Sequence, residues 1–244
     1  MNGGRVIWLS KDDPPGNFPP VSAALSEPDG LLAAGGDLGV ERLLYAYRHG
    51  IFPWYDDGQP LLWWSPDPRC IFAAGDFHCS RSLRRDLRRS DAEIRMNTVF
   101  SEVVRNCAAP RRSAQGTWIT PAMIAAYEEL HAEGWAHSVE VWQSGTLVGG
   151  LYGVCIGRAF FGESMFSQRP NMSKLAMLYL ANRLTTGELE LLDCQLVSAH
   201  LLGLGARVIP REDFISRLDL ACEPGLAWQD PPCEPVPCRQ LSFD

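Results

Sequence analysis

His137-Ser138-Val139-Glu140-Val141-Trp142-Gln143-Ser144-Gly145-Thr146-Leu147-Val148-Gly149-Gly150-Leu151-Tyr152-Gly153-Val154-Cys155-Ile156 reads as two apolar runs separated by a two-residue turn signal. Ser144-Gly145 suits a hairpin, so strands are expected near 137–143 and 146–156. Further strands are expected near 158–162 and 189–197. Around them the spacing predicts helices near 81–89, 97–108, 121–133, 173–186 and 211–220. The third is the best punctuated, with Thr120 as N-cap, Pro121 in the first turn and Gly134 just past the end. Strands interleaved with helices predict a layered α+β or α/β domain built on a mixed sheet.

Upstream, residues 18–68 are dense in Gly, Pro and aromatic residues. One helix fits there: Leu43, Leu44 and Tyr47 recur at helical spacing, and Gly50 suits the position after its end. Ser65-Pro66-Asp67-Pro68 punctuates the chain. The expected organisation is a small turn-rich domain over 1–67 followed by a larger one over 68–244. The tail from Glu223, rich in Pro and Cys, is expected to be irregular.

The most informative short stretch is Leu191-Leu192-Asp193-Cys194-Gln195-Leu196-Val197. Regular pleating places Asp193 and Gln195 on one face, with Leu192, Cys194 and Leu196 on the other. A carboxylate in so apolar a strand is costly to bury without partners. The pair is either a satisfied core network or a reaction site.

The chain has 244 residues, 46% of them hydrophobic and 21% charged, as in a soluble globular protein. No apolar run is long enough to span a bilayer, and the N-terminus lacks the apolar core of a secretory signal. A cytoplasmic protein with no membrane contact is expected. None of the 8 cysteines forms a C-x-x-C pair, so they are read as reduced thiols. The five histidines show no metal-ligand spacing, and no metal or cofactor is expected.

Net charge is -7, yet Arg81, Arg84, Arg85, Arg88 and Arg89 share one helical face, with Leu83 and Leu87 opposite. Like charges at this spacing repel unless something anionic lies across them. Guanidinium forks suit phosphate oxygens, and five of them favour RNA over a free nucleotide. No P-loop or dinucleotide-binding pattern accompanies them. Large rings concentrate in loop-like settings at Trp54, Trp63-Trp64 and Trp118, where they either pack the core or wall a pocket. Glu163, after the apolar Ala159-Phe160-Phe161, is either a solvated strand end or a negative charge at a pocket mouth.

Taken together the motifs resemble one family, the leucyl/phenylalanyl-tRNA–protein transferases. The strings that carry the resemblance include Glu27-Pro28-Asp29-Gly30-Leu31-Leu32-Ala33, Ala46-Tyr47-Arg48-His49-Gly50-Ile51-Phe52-Pro53-Trp54 and Trp63-Trp64-Ser65-Pro66-Asp67-Pro68-Arg69. They continue through Gly116-Thr117-Trp118-Ile119, Gly162-Glu163-Ser164-Met165-Phe166-Ser167, Asp193-Cys194-Gln195 and Leu204-Gly205-Ala206. The resemblance implies an acetyltransferase-like (GNAT) fold for the larger domain. It implies transfer of Leu or Phe, with Met as a further donor, from aminoacyl-tRNA to proteins that begin with Arg or Lys, marking them for degradation. By position it assigns Asp193 and Gln195 as the catalytic pair and Glu163 as the acceptor-side carboxylate. Tyr47, Trp54, Trp118, Phe160 and Met165 match the region that holds the aminoacyl-adenosine end, and the arginine stripe matches a tRNA-binding cluster. Leu151 and Leu180 stand where a well-known member has Met and Phe, and Gly203 replaces a Ser. The expected mechanism has Asp193 hydrogen-bonding the side-chain amide of Gln195. A monomer is the default. The competing readings are an acetyl-CoA-dependent N-acetyltransferase and a non-catalytic tRNA-binding module. The first is disfavoured because Ser167-Gln168-Arg169-Pro170-Asn171-Met172 lacks the glycines of a pyrophosphate-cradling turn.

Overall fold

The computed structural model describes residues 6–109, 118–223 and 234–242. Four strands form a first sheet: β1 (Ile7–Leu9), β2 (Leu31–Gly35), β3 (Phe52–Pro53) and β4 (Leu62–Trp64), in the order β1-β2-β4-β3. Helix α1 (Val40–Arg48) lies between β2 and β3 in the chain. The remaining strands form a second sheet: β5 (Arg69–Phe72), β6 (Glu93–Met96), β7 (Ala136–Gln143), β8 (Thr146–Ile156), β9 (Ala159–Ser167), β10 (Leu191–Gln195), β11 (Arg207–Ile209) and β12 (Val236–Pro237). Their order is β11-β5-β10-β9-β8-β7-β6-β12. Among the described residues only β9 and β10 run parallel in it; the other pairs are antiparallel.

Among the described residues six helices accompany this sheet: α2 (Arg81–Arg89), α3 (Phe100–Ala108), α4 (Pro121–Ala132), α5 (Met172–Thr186), α6 (Ala199–Gly203) and α7 (Arg211–Ala221). The start of α4 is the one the sequence predicts. The Thr120 hydroxyl accepts from Met123 N at 3.2 Å to start α4, and Ser80 Oγ does the same for Leu83 N in α2. The β7–β8 hairpin turns through Ser144 and Gly145, both at positive φ.

The second sheet is covered on both faces. Residues of α1, α3, α4 and α7 form one apolar core with Tyr152, Val154 and Phe161, and Trp63 of the first sheet joins it. Helices α2 and α5 form the other core with Leu151, Cys155, Phe160 and Leu192. Burial on two sides explains why β8 is apolar at nearly every position instead of alternating. The architecture is α+β, a mixed sheet between two helical layers. Among the described residues no helix is long and apolar enough to cross a membrane.

Three expectations need correction. Helix α3 begins at Phe100, not 97, because Thr98 N and Val99 N donate to the buried Glu140 carboxylate at 2.8 and 2.9 Å. Strand β9 runs on through Gly162-Glu163-Ser164 to Ser167 instead of ending at 162, since β8 continues to pair with it. The tail is not wholly irregular: Val236 and Pro237 pair with Ile94 and Glu93, adding an edge strand to the sheet. Gly116, Thr117 and Cys233 lie outside the described residues.

Candidate active site

The central parallel pair opens into a fork. Strands β9 and β10 pair at Ala159 with Leu191, Phe160 with Leu192 and Phe161 with Asp193, and then part. At the fork each strand carries an extra residue. In β9, Gly162 faces Gly153 while Ser164 faces Tyr152, leaving Glu163 as the bulge. In β10, Asp193 faces Ile71 while Gln195 faces Cys70, leaving Cys194 as the bulge. A bulge re-aims the side chains around it. Gln195 accordingly takes φ 59°. Gly153 is obligatory opposite the first bulge: a Cβ there would lie 2.2 Å from Phe161 O.

The bulge in β10 overturns the same-face reading of Asp193 and Gln195. Asp193 is wholly buried and accepts from Arg69 Nε at 2.9 Å and Arg69 Nη2 at 2.7 Å, a two-pronged pair. Arg69 also donates to Gly50 O at 3.1 Å and lies between the rings of Phe52 and Phe214, 4.9 and 4.5 Å from their centroids. The carboxylate accepts the backbone N–H of Gln195 at 2.9 Å. It therefore braces the bulge through the main chain, and the expected bond to the Gln195 side chain is not made.

The Gln195 amide instead donates through Nε2 to Glu163 Oε1 at 2.9 Å, across the fork. Two phenols hold the same carboxyl from behind: Tyr47 Oη lies 2.7 Å from Oε1 and Tyr127 Oη 2.7 Å from Oε2. Burial pushes the Glu163 carboxyl up from 4.5 to about 7, against the lowering pull of the Tyr127, Tyr47 and Gln195 hydrogen bonds; the charge of Asp193 adds to the rise. Burial likewise lifts Tyr47 and Tyr127 well above their ordinary range. With Nε2 spent on Glu163, the Gln195 carbonyl is left to accept a hydrogen bond from a substrate.

Glu163 and Gln195 form the polar end of a cavity of about 120 Å³. Its walls are apolar: Leu151, Met165, Met177, Leu180, Leu192 and Leu201. That lining suits one aliphatic or aromatic side chain. The Cys194 thiol also faces it, with its pKa raised well above normal by burial, which keeps it a neutral wall group. Among the described residues no three His, Cys, Asp or Glu side chains gather where they could hold a metal ion.

Comparison with known proteins names the family. The family model for leucyl/phenylalanyl-tRNA protein transferase matches residues 71–219, and the model for that family's N-terminal domain matches 36–67. The chain belongs to the leucyl/phenylalanyl-tRNA protein transferases. A transferase of this name from Nitrosospira multiformis is 55% identical over 213 residues, covering 87% of this chain and 90% of the relative. One from Pseudomonas paraeruginosa is 56% identical over 213 residues, covering 87% and 93%. Among solved structures, a GCN5-related N-acetyltransferase from Kribbella flavida covers 69% of this chain and 59% of its own, at 11% identity and TM-score 0.36.

The other residues matched to this transferase family fall in several places. Met165 lines the cavity beside Glu163 and Gln195. Phe160 is fully buried, one residue before the fork and in the core that also contains the cavity's apolar walls. Tyr47 stands behind Glu163. Trp54 and Trp118 do not line the cavity: Trp54 is 37% exposed with its ring edge-on to Trp64, and Trp118 packs on the core of α1, α3 and α4. On α2, Arg81, Arg85, Arg88 and Arg89 are exposed, while half-buried Arg84 donates to Cys79 O at 3.1 Å. Leu83 and Leu87 dock the helix on the core.

Two important side chains escape sequence reasoning. Tyr127 falls on the apolar stripe of its helix with Met123, Ala126 and Leu130, so it reads as core. Arg69 is a lone cation in an apolar strand, a signal that a buried counter-charge exists but not which one.

Proposed function

We propose that this chain transfers Leu or Phe, with Met as a further donor, from aminoacyl-tRNA to the N-terminal Arg or Lys of acceptor proteins, marking them for degradation. The reaction runs in the cytoplasm on a monomeric enzyme that needs no cofactor. The observation that carries the reading is the fork: two bulges bring the Glu163 carboxyl and the Gln195 amide to 2.9 Å at the mouth of an apolar cavity. The cavity takes the donor's side chain. The ester carbonyl then lies at its polar mouth, where Gln195 and Glu163 meet the acceptor.

The chemistry is ester aminolysis. The acceptor's α-amine attacks the carbonyl carbon, the bond from that carbon to the ribose oxygen breaks, and the amine's surplus proton passes to that oxygen. An α-amine has an ordinary pKa of about 7.7–8.0, so a useful fraction is neutral and ready near pH 7. The main task is alignment. The Gln195 carbonyl accepts a hydrogen bond from the attacking nitrogen and points its lone pair at the ester. Glu163 fixes that amide and holds the acceptor's positive residue. Asp193 acts at one remove, bracing Gln195 through its backbone N–H. The arginine stripe of α2 supports contact with tRNA phosphates outside the cavity.

The test mixes the protein with Leu-tRNA carrying labelled leucine and a peptide that begins with Arg. Labelled peptide is expected, and prior RNase treatment abolishes it. Gln195→Ala lowers kcat and leaves tRNA affinity close to wild type. Transfer at the wild-type rate by that variant would remove Gln195 from the mechanism.

A further inference from the structure

Glu163 belongs to a closed circuit of three short oxygen–oxygen contacts. Tyr47 Oη lies 2.5 Å from Tyr127 Oη, and each phenol lies 2.7 Å from a different oxygen of Glu163. Each contact at hydrogen-bond length needs one proton between its oxygens. The two phenols supply two. If Glu163 were ionised, two protons would have to serve three contacts, since the carboxylate can only accept. One contact, either between the phenols or between a phenol and the carboxylate, would then set lone pair against lone pair. A third proton, carried on Glu163 Oε2, removes the conflict. Oε2–H donates to Tyr127, Tyr127 to Tyr47, and Tyr47 to Oε1, which also accepts from Gln195 Nε2.

The surroundings agree. Around this carboxyl stand Tyr47 from α1, Tyr127 from α4, Tyr152 from β8, and Gln195 and Asp193 from β10. All but Asp193 are neutral, and Asp193 is already paired with Arg69. Among the described residues no Lys or Arg pairs with Glu163. The rise of its carboxyl to about 7 has the same direction.

We propose that the resting enzyme stores a proton on Glu163, closed into a ring by Tyr47 and Tyr127, and that docking of the acceptor's positive N-terminal residue expels it. The proposal rests on the reading that Glu163 holds that residue. The balance is simple: the neutral acid plus the cationic peptide gives the carboxylate–cation pair, and one proton leaves to the buffer. Acceptor affinity therefore rises with pH until the free enzyme has lost this proton. Tyr127 is a positioning residue, because it takes the hydrogen bond of the stored proton.

Infrared difference spectroscopy of the peptide-free protein, wild type against Glu163→Gln, reads the proton directly. At pH 6 a protonated-carboxyl carbonyl band is expected that Glu163→Gln lacks and that fades as pH rises to 9. Its absence at pH 6 overturns the proposal. In Tyr127→Phe the band moves to higher frequency, because the proton has lost its acceptor; an unmoved band overturns the ring. Calorimetry with an Arg-peptide at pH 6, in two buffers of different ionisation enthalpy, gives the coupling. About one proton released per peptide is expected. Release near zero with binding intact overturns the expulsion step. If Glu163→Gln binds the peptide as tightly as wild type while the band is present, the stored proton stands and the acceptor-holding role of Glu163 fails.

Discussion

Removing the Asp193 carboxylate should cost the protein a large share of its stability, whatever it does to catalysis. Arg69 is 1% exposed and Asp193 is wholly buried, so Asp193→Ala leaves a guanidinium in the core with only Gly50 O and two ring faces for company. Breaking one side of such a pair costs about 3–5 kcal/mol. The Gln195 N–H also loses its acceptor, a further penalty of about 1–3 kcal/mol that overlaps the first. Against a total stability of about 5–15 kcal/mol, the loss is severe. Arg69→Met combined with Asp193→Leu removes both charges and should recover most of it, leaving chiefly the orphaned N–H. Urea unfolding at pH 7, followed by circular dichroism, measures all three proteins. If Asp193→Ala loses less than about 1 kcal/mol while kcat collapses, the carboxylate works on the substrate and the bracing argument is wrong. If the double variant is no more stable than Asp193→Ala, the buried guanidinium is not the source of the cost.

Three further outcomes follow from the geometry. Glu140, also wholly buried, accepts from Thr98 N, Val99 N, Ser138 Oγ, Trp142 Nε1 and the Thr98 hydroxyl. Glu140→Ala strands these donors at the start of α3, and its urea midpoint should fall by the equivalent of about 3 kcal/mol or more. Glu163 has a folded pKa near 7, above its ordinary 4.5, so its stabilising contribution is full below 4.5 and is lost as pH rises through 7. Thermal melts from pH 5 to 9 should show wild type losing about 2 kcal/mol that Glu163→Gln retains, after discounting for the carboxyl's position beside an open cavity. On α2, Arg84→Glu with Arg88→Glu should weaken tRNA binding in filter assays and flatten the salt slope by about 1.5; unchanged affinity at low salt would clear the helix of any RNA contact.

The sequence is most readable where structure is local. Thr120, Pro121 and Gly134 mark α4 almost to the residue, and Ser144-Gly145 marks its hairpin. The arginine stripe of α2 is legible because helical spacing alone gathers it. The site is legible only in part, because its decisive features are departures from periodicity. A pleat predicts that Asp193 and Gln195 share a face; one extra residue at Cys194 parts them, and no local residue type announces it. Gly162-Glu163-Ser164 looks like a strand end but continues β9 through its bulge. The partners that define each carboxyl come from far away in sequence: Arg69 is 124 positions from Asp193, and Tyr47 is 116 from Glu163. Short-range pattern reading cannot pair them.

The two-residue strand β12 has a consequence for self-association. An eight-stranded sheet invites other chains wherever its last strand offers free N–H and C=O groups. At the edge opposite β11 the last strand is Val236–Pro237, too short to template a neighbour, and Pro237 has no N–H to give. Cutting the chain before Val236 would uncover the outer edge of β6 and leave its N–H and C=O groups free to pair with a strand of another chain.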